Sequence, residues 1–123
     1  MATDNGVLDV SFKAGADLST KQFYLVYLDS SAKIQLCDGI TRQAIGILQN
    51  KPDAADKEAV VRLMGISKIV LGVTLATGAR ISVAATGKAA AAASTSFNVG
   101  ILTQGGVAND VGSVALIQGT ANA

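Results

Sequence analysis

The sequence predicts an all-β protein, a small β-barrel or β-sandwich of short strands, and three observations predict it. Short apolar or alternating runs recur along the 123 residues. Turns rich in Gly, Asn and Asp separate them at roughly the 8–12-residue spacing typical of barrels and sandwiches. No window of about eleven residues shows the amphipathic period of a helix. A chain of this length is expected to form one domain with a core made by strands.

A further observation is an internal repeat, which predicts two pseudo-repeated β units. Ile45-Gly46-Ile47-Leu48 returns as Val99-Gly100-Ile101-Leu102, 54 residues later. The downstream matches are Val60 with Val114, Leu63 with Ile117, and Gly65 with Gly119. Copies at about 44–65 and 98–119 predict two similar units packed about a pseudo-twofold axis, since two copies are too few for a solenoid.

The first strands follow from local patterns. Residues 7–12 alternate and place Leu8, Val10 and Phe12 on one face of a strand. With the polar residues before them, residues 1–12 are predicted to form an extended N-terminal arm and the first strand, followed by a single β-rich domain at 13–123. The aromatic run 23–28 predicts a strand covered on both faces, and the alternating run 34–37 completes a hairpin with it.

Six further strands are predicted at 44–49, 59–64, 66–71, 80–83, 99–103 and 113–118. Gly65 marks a bulge or bend between two of them. Within 80–83 the alternation places Ile81 and Val83 inward. The five alanines of 89–93 favour a helix by propensity. Because an isolated helix of that length is marginal, we predict a loop with at most one helical turn.

Charge is scarce and unevenly placed. Charged residues are 15% of the chain, against about 25% in an average soluble domain. From Ala89 to Ala123 only Asp110 is charged, and loop 104–112 is nearly neutral whereas loop 50–58 is charged. This asymmetry predicts that one β unit faces solvent and the other faces neighbouring protein, unless the neutral strands are simply the most buried ones. The predicted interchain interface comprises Val99, Ile101, Val107, Val111, Val114 and Leu116.

The same composition excludes several classes of partner. The net charge is +1 and there is no Lys/Arg cluster, so we predict no nucleic-acid partner. No apolar run approaches the roughly 18 residues that span a bilayer, which predicts no membrane partner. The polar N-terminus lacks a secretory signal, so synthesis in the cytoplasm is expected. Cys37 is the single cysteine and is interpreted as a small, semi-buried apolar residue.

No motif for catalysis or metal binding is complete. The chain has no His and one Cys, which removes the common nucleophilic triads and ordinary zinc sites. Ser30-Ser31-Ala32-Lys33 lacks the partner motifs of penicillin-binding enzymes, and Gly87-Lys88 lacks the rest of a phosphate-binding loop. The acids of 53–58 match no calcium loop. We predict that the protein is not an enzyme and has no catalytic, cofactor-binding or metal-binding residues.

In chain order, the motifs resemble those of one family. Lys13-Ala14-Gly15-Ala16-Asp17-Leu18 follows the first strand, and the most specific runs are 44–52 (AIGILQNKP) and 77–89 (TGARISVAATGKA). Together they are similar to the capsid cement, or head decoration, proteins of tailed bacteriophages, over most of residues 7–118. The alanine run and Leu75-Ala76 depart from that pattern.

The resemblance implies a structural virion protein without cofactors. Such proteins are made in the host cytoplasm, are usually homotrimers, and bind the major capsid protein on the outer surface of the phage head, where they stabilise the expanded shell. The N-terminal arm would then add a strand to the capsid protein. Its residues are Ala2, Thr3, Asp4, Asn5, Gly6, Val7 and Leu8.

An alternative of another class is a carbohydrate- or cell-surface-binding β module of a phage tail or fibre. That function calls for an exposed aromatic platform, yet four of the five aromatic residues precede residue 28. Tyr24 and Tyr27 are predicted to lie on opposite faces of one strand, in the core or in an interface. The distribution of aromatic residues therefore favours the cement function over the carbohydrate-binding one.

Overall fold

The computed structural model describes residues 5–37, 43–84, 86–92 and 99–116, and it is all-β across them. This confirms the fold class predicted from strand spacing. The strands are β1 (Asn5–Ala14), β2 (Leu25–Leu28), β3 (Lys33–Leu36), β4 (Gly46–Leu48), β5 (Glu58–Val70), β6 (Arg80–Val83), β7 (Ala89–Ala91), β8 (Gly100–Gln104) and β9 (Val111–Leu116).

Strands β1 to β4 and the N-terminal half of β5 close into a ring of five strands, which we call the first ring. β2 and β3 form the predicted hairpin, and β4 pairs with the other side of β2. β5 lies antiparallel to β4, with Ile47 opposite Arg62. β1 pairs with β5 on one side and, in parallel, with β3 on the other. Because each strand has two partners, the first ring is a small barrel.

The C-terminal half of β5 begins a second ring with β9, β8, β6 and β7. β5 and β9 are antiparallel, with Ile66 opposite Ala115. β9 then pairs with β8, β8 with β6, and β6 with β7. A parallel bridge between Leu71 and Ala89 closes this second ring. The described chain therefore folds as two five-stranded rings that share β5.

β5 passes from the first ring to the second at Gly65. The two strands predicted at 59–64 and 66–71 are one continuous strand, and the bend predicted at Gly65 coincides with a φ of 103°. Glycine reaches that backbone conformation without the steric cost that a Cβ imposes. This residue therefore allows one strand to belong to both rings.

The two rings repeat each other strand for strand. β2, β3 and β4 correspond to β6, β7 and β8; the N-terminal half of β5 corresponds to β9, and β1 corresponds to the C-terminal half of β5. The equivalent opposed pairs are Val26–Leu36 and Ile81–Ala91, Ala14–Ile34 and Leu71–Ala89, and Leu48–Val61 and Leu102–Val114. The repeat seen in the sequence is thus the fourth and fifth strands, in chain order, of a five-strand unit.

The connections repeat as well. Left-handed residues occupy equivalent positions, namely Phe23 and Gly78, Ala32 and Gly87, and Asp56 and Asn109. The bond from the Leu18 amide to the Pro52 carbonyl, 2.8 Å, recurs from the Leu75 amide to the Gly106 carbonyl at 2.9 Å. Strands and turns therefore both follow one internal duplication over the described residues.

The structure corrects one match in the predicted repeat. The sequence spacing paired Val60 with Val114, but Val61 occupies the position of Val114, because Leu48 faces Val61 as Leu102 faces Val114. Val61 and Val114 are both fully buried. The loop before the closing strand is one residue shorter in the second ring, so the constant spacing fails there. The matched residues Ile117 and Gly119 lie outside the described residues.

Each ring has an apolar core, and one side of the first ring adds to the core of the second. The first core consists of Ala14, Leu18, Val26, Ile34, Leu48, Ala59 and Val61. The second contains the equivalent residues Leu71, Leu75, Ile81, Ala89, Leu102 and Val114, with Leu25, Cys37, Ala44 and Ile47 contributed by the first ring. Removing those four side chains from water joins the rings. Cys37, predicted to be semi-buried, is fully buried.

Two local predictions are wrong. Ala89–Ala91 forms β7 rather than a loop, because pairing with β6 and full burial of Ala89 outweigh a weak helical propensity. The strand predicted at 23–28 begins only at Leu25, since Phe23 adopts a left-handed φ of 68°. The inward orientation predicted for Ile81 and Val83 is confirmed, with 0% and 4% exposure.

Candidate interaction surfaces

The candidate functional features of the described residues are exposed side-chain surfaces. In these ranges no three His, Cys, Asp or Glu side chains lie close enough together to hold a metal ion. Across the same residues, no helix is long and apolar enough to cross a membrane. The Ser-x-x-Lys run lies in the turn between β2 and β3, where Lys33 Nζ is 2.9 Å from Asp56 Oδ1. Its lysine is therefore engaged in an ion pair.

The described part of the predicted capsid-binding arm belongs to β1. Its pairs with β5 are Asn5 with Ile66, Gly6 with Gly65, and Leu8 with Met64. Val7 is 74% exposed, Leu8 43% and Met64 53%. Leu8 and Met64 are opposite each other, and Val7 lies next to Leu8 at a register shift in the β1–β5 pairing. We call these three exposed residues beside the bend of β5 the apolar knob. The remaining arm residues, Ala2, Thr3 and Asp4, lie outside the described residues.

The Arg62 side chain, on β5, forms hydrogen bonds with Asp9 of β1. Its guanidinium donates two hydrogen bonds to Asp9, from Nε to Oδ1 at 2.8 Å and from Nη2 to Oδ2 at 3.0 Å, a bidentate pair. Nη1 also donates to the carbonyl of Ile66 at 3.1 Å. Burial lowers the pKa of Arg62 from its ordinary value. A Cβ at Gly6 would lie 2.6 Å from Arg62 Cζ, so glycine leaves room for this contact.

The residues predicted for the interchain interface divide into two groups. Val99 and Val114 are fully buried in the chain's own second core, and Leu116 packs against it half-buried. Ile101, Val107 and Val111 are 40%, 58% and 45% exposed. The fold therefore leaves these last three available to a neighbouring chain, whereas Val99 and Val114 stabilise the chain itself.

One outward-facing row of side chains crosses the second ring in register. This second-ring row is Ile66, Ala115, Ile101 and Arg80, on β5, β9, β8 and β6. The equivalent row of the first ring is Asp9, Arg62, Ile47 and Leu25. Ile47 and Leu25 are fully buried because they pack into the core of the second ring. Ile101 and Arg80, at the equivalent positions, are exposed.

The turn between β6 and β7 lies against the first-ring row. The amide of Leu25 donates to the carbonyl of Gly87 at 2.8 Å. A Cβ at Gly87 would lie 2.5 Å from Leu36 Cδ1. Glycine therefore suits this position for two reasons, the closeness of the Leu36 side chain and the left-handed φ of 81°.

The turn between β2 and β3 has the same backbone but a different charge. The Asp29 amide donates to the Lys33 carbonyl at 2.9 Å, as the Ala84 amide does to Lys88 at 2.8 Å. Hydrogen bonds from the Gln35 side chain and the Lys33 amide lower the pKa of Asp29. The hydrogen bond and charge of Lys33 lower the pKa of Asp56. In the second ring, Lys88 and Asn109 take the places of Lys33 and Asp56. Lys88 Nζ donates a hydrogen bond to Asn109 Oδ1 at 2.8 Å, so the acidic partner is replaced by a neutral one.

Three aromatic residues, Phe23, Tyr24 and Tyr27, lie near the contact between the rings. Lys21 Nζ and Lys88 Nζ are 5.1 and 6.0 Å from the centre of the Tyr24 ring, and Lys68 Nζ is 5.7 Å from that of Phe23. These lysines interact with the rings as cations over aromatic faces. Tyr24 precedes β2, so the prediction that it shares a strand with Tyr27 is wrong. Half-buried rings with lysines over them form no flat open platform for a sugar.

Sequence reasoning missed Arg80, Ala91, Ala32 and Asp29 as surface residues of interest. Their significance comes from the duplication, which the sequence showed in only two strands of each unit. A further signal was present in the runs Ala14-Gly15 and Leu71-Gly72, each followed three residues later by leucine, Leu18 and Leu75. That match would have extended the repeat to the first strand of each ring.

No family model and no curated protein sequence matches this chain. Among solved structures, the fold is similar to that described as "the crystal structure of head fiber gp8.5 N base in bacteriophage phi29", with a TM-score of 0.69. The match covers 94% of this chain and 100% of that chain, at 10% sequence identity. At that identity the likeness shows a shared fold.

Proposed function

We propose that this protein is a structural component of a bacteriophage virion, which binds the outer surface of the capsid and stabilises the expanded shell as a cement or decoration protein. The observation that carries the proposal is the likeness of fold, along nearly its whole length, to the base of a phage head fibre. The motif resemblance to capsid cement proteins supports the same location. The protein would be made in the host cytoplasm and assembled on the head.

The apolar knob of Val7, Leu8 and Met64 is the surface that we assign to the major capsid protein. Its three side chains are 43–74% exposed and lie where β1 meets the bend of β5. The arm residues 2–4 lead directly into it and would extend the contact by adding a strand to the capsid protein. In the homotrimer that we propose, three such contacts bind together, so each one can be weak.

A charge placed on the knob tests this assignment. Val7→Asp is expected to weaken binding to expanded shells by about tenfold or more, because the carboxylate must lose its hydration in an apolar contact. Val7 is 74% exposed, so the midpoint of thermal unfolding should change little. Binding is measured by co-sedimentation of the purified protein with expanded shells that lack it.

Val73→Asp serves as the matched control, because Val73 is also an exposed valine, at 44%, on the second ring. It should bind shells like the unaltered protein. Deleting residues 2–4, which leaves β1 intact, tests the arm separately. Equal shell binding by Val7→Asp, the deletion and the unaltered protein would remove the proposed capsid contact.

The second candidate function is a carbohydrate- or cell-surface-binding β module of a phage tail or fibre, and the likeness to the base of a head fibre supports its fibre location. The two functions differ in what they bind and in copy number. A cement protein co-purifies with heads in a fixed ratio to the major capsid protein and binds no glycan. Retention on host-surface glycans, with no binding to shells, would favour the fibre module instead.

A further inference from the structure

Within one chain, part of the first-ring row is covered by the second ring. The equivalent part of the second-ring row is exposed, so a ring of the same kind is a candidate to cover it. In the first ring, Ile47 and Leu25 are fully buried beneath the second ring. In the second ring, Ile101 takes the position of Ile47 and is 40% exposed. One repeat therefore has a five-stranded ring packed on this row, and the other presents the same strand geometry uncovered.

We propose that the second-ring row binds the first ring of a second copy of this chain, head to tail. The turn between β2 and β3 of that copy would lie against Arg80 and Ala91, as the turn between β6 and β7 lies against Leu25 and Leu36 within one chain. The two turns have the same backbone hydrogen bonds and the same left-handed residue position. This inference goes beyond the virion role and does not rest on it.

Side-chain size is complementary at the closest point of this contact. Within the chain, a Cβ on the turn at Gly87 would lie 2.5 Å from Leu36 Cδ1, so glycine is the residue that fits without moving the leucine. The equivalent turn has Ala32, whose Cβ would require a leucine in the same place to shift. The second ring, however, has Ala91 at the position of Leu36. Ala91, beside the second-ring row and opposite Ile81, therefore leaves more room for Ala32 on the turn than a leucine would.

Charge is complementary as well. Arg80 takes the position of Leu25 in the second ring. Within the chain, Leu25 lies against a turn that contains Ala84 and has Asn109 beside it. The turn that we place against Arg80 contains Asp29 and is flanked by Asp56. Within the chain, an apolar residue thus lies against a turn whose charged residue is Lys88. Between chains, Arg80 would lie near two carboxylates, Asp29 and Asp56, of which Asp56 is also paired with Lys33.

A head-to-tail contact uses two different surfaces of the same chain. Such a contact closes into a ring when the rotation between copies allows it, and otherwise extends as a filament. The surface on the first ring consists of the turn between β2 and β3, and the surface on the second ring is its outward row. Disabling either surface should therefore prevent assembly.

Ala91→Leu is the most direct test, because it restores on the second ring the leucine that the Cβ of Ala32 would crowd. Ala91 is exposed at the end of β7, so the fold should persist with an unchanged circular dichroism spectrum. We expect self-association, measured by sedimentation equilibrium of the isolated full-length protein, to weaken by about tenfold or more. Ala16→Leu, an exposed alanine of the first ring, is the matched control and should associate normally.

A second substitution distinguishes this arrangement from other modes of association. Adding Ala32→Gly to Ala91→Leu recreates between chains the Gly87–Leu36 pair found within one chain, and it should restore self-association. Glycine is tolerated at residue 32, where φ is 61°. A pairing of two second-ring rows with each other would not involve Ala32, so it predicts no rescue.

The proposal is overturned by any of three results. They are a protein that stays monomeric at high concentration, an Ala91→Leu variant that associates normally, or an Ala32→Gly, Ala91→Leu variant that associates no better than Ala91→Leu. Loss with Ala91→Leu and recovery in the double variant would establish the head-to-tail contact. Because shells are absent from this experiment, its outcome is separate from that of the capsid-binding test.

Discussion

Gly46 and Gly100 occupy the same place in the two rings, where the neighbouring strand leaves no room for a side chain. A Cβ at Gly46 would lie 3.0 Å from the carbonyl carbon of Arg62 and 2.9 Å from Val61 Cγ1. The corresponding distances at Gly100 are 3.0 Å to the carbonyl carbon of Ala115 and 2.9 Å to Val114 Cγ2. These matched contacts explain why both copies of the repeated motif contain glycine.

Gly46→Ala and Gly100→Ala should each lower the free energy of unfolding by about 3 kcal/mol, in the upper part of the range for overpacking, since the obstruction is largely backbone. Gly78→Ala is the control. No atom lies within 4 Å of a Cβ there, and only its φ of 87° opposes alanine, which costs about 1 kcal/mol. Urea unfolding measures all three, and a Gly46→Ala variant as stable as Gly78→Ala would contradict the expectation.

Asp29 and Asp56 should make stability depend on acid pH. Their pKa values are lowered in the fold, chiefly by the Gln35 side chain for Asp29 and by Lys33 for Asp56. A carboxyl with a lowered pKa stabilises the fold above its ordinary value of 3.8, and that stabilisation is lost as the pH falls through the folded-state pKa. The melting temperature should therefore fall below about pH 4.

An Asp29→Asn, Asp56→Asn variant should show a smaller fall in melting temperature over the same pH interval, because two of the titrating groups are gone. Melting curves measured by circular dichroism at several pH values below neutrality provide the comparison. An acid-induced fall as large as that of the unaltered protein would mean that other carboxyl groups control acid stability.

Among the elements, local alternation was enough to predict most strands but not the whole duplication. Ile81 and Val83 were placed inward correctly because a half-buried strand repeats every two residues. The glycine motif was recognisable because in both rings the neighbouring strand leaves no room for a Cβ, so glycine occurs in both copies. Val26 and Ile81 are equivalent too, but they share only burial. Their sequence separation also differs from that of the glycine pair, since the connecting loops vary in length.

The candidate surfaces were harder to predict than the strands. Low charge indicated an interface in the last third of the chain, yet an apolar strand does not show by composition which face is covered. Leu102 and Val114 point into the second core while Ile101 points out, and only the register of the pairs on β8 and β9 separates the two faces. The rest of the outward row, and the turn that we place against it, become informative only once the packing of one ring on the other is known.

At the scale of the whole molecule, the two rings are joined by a shared strand and a shared core. β5 contributes to both rings, and its bend at Gly65 carries the chain from one to the other. Leu25 and Ile47 of the first ring are fully buried within the core cluster of the second. Neither ring can therefore open without exposing apolar surface that belongs to the other.

We expect the protein to unfold in one cooperative transition despite its duplicated architecture. Separate transitions would leave Leu25 and Ile47 in water while the first ring stayed folded, at a cost of about 1.5–3 kcal/mol for each side chain. Scanning calorimetry should give equal calorimetric and van't Hoff enthalpies. Ile47→Ala should lower the free energy of unfolding by about 2–5 kcal/mol without splitting the single transition. Because Ile47 belongs to the first ring by sequence and to the second core by contact, two resolved transitions in that variant would show that the rings fold independently.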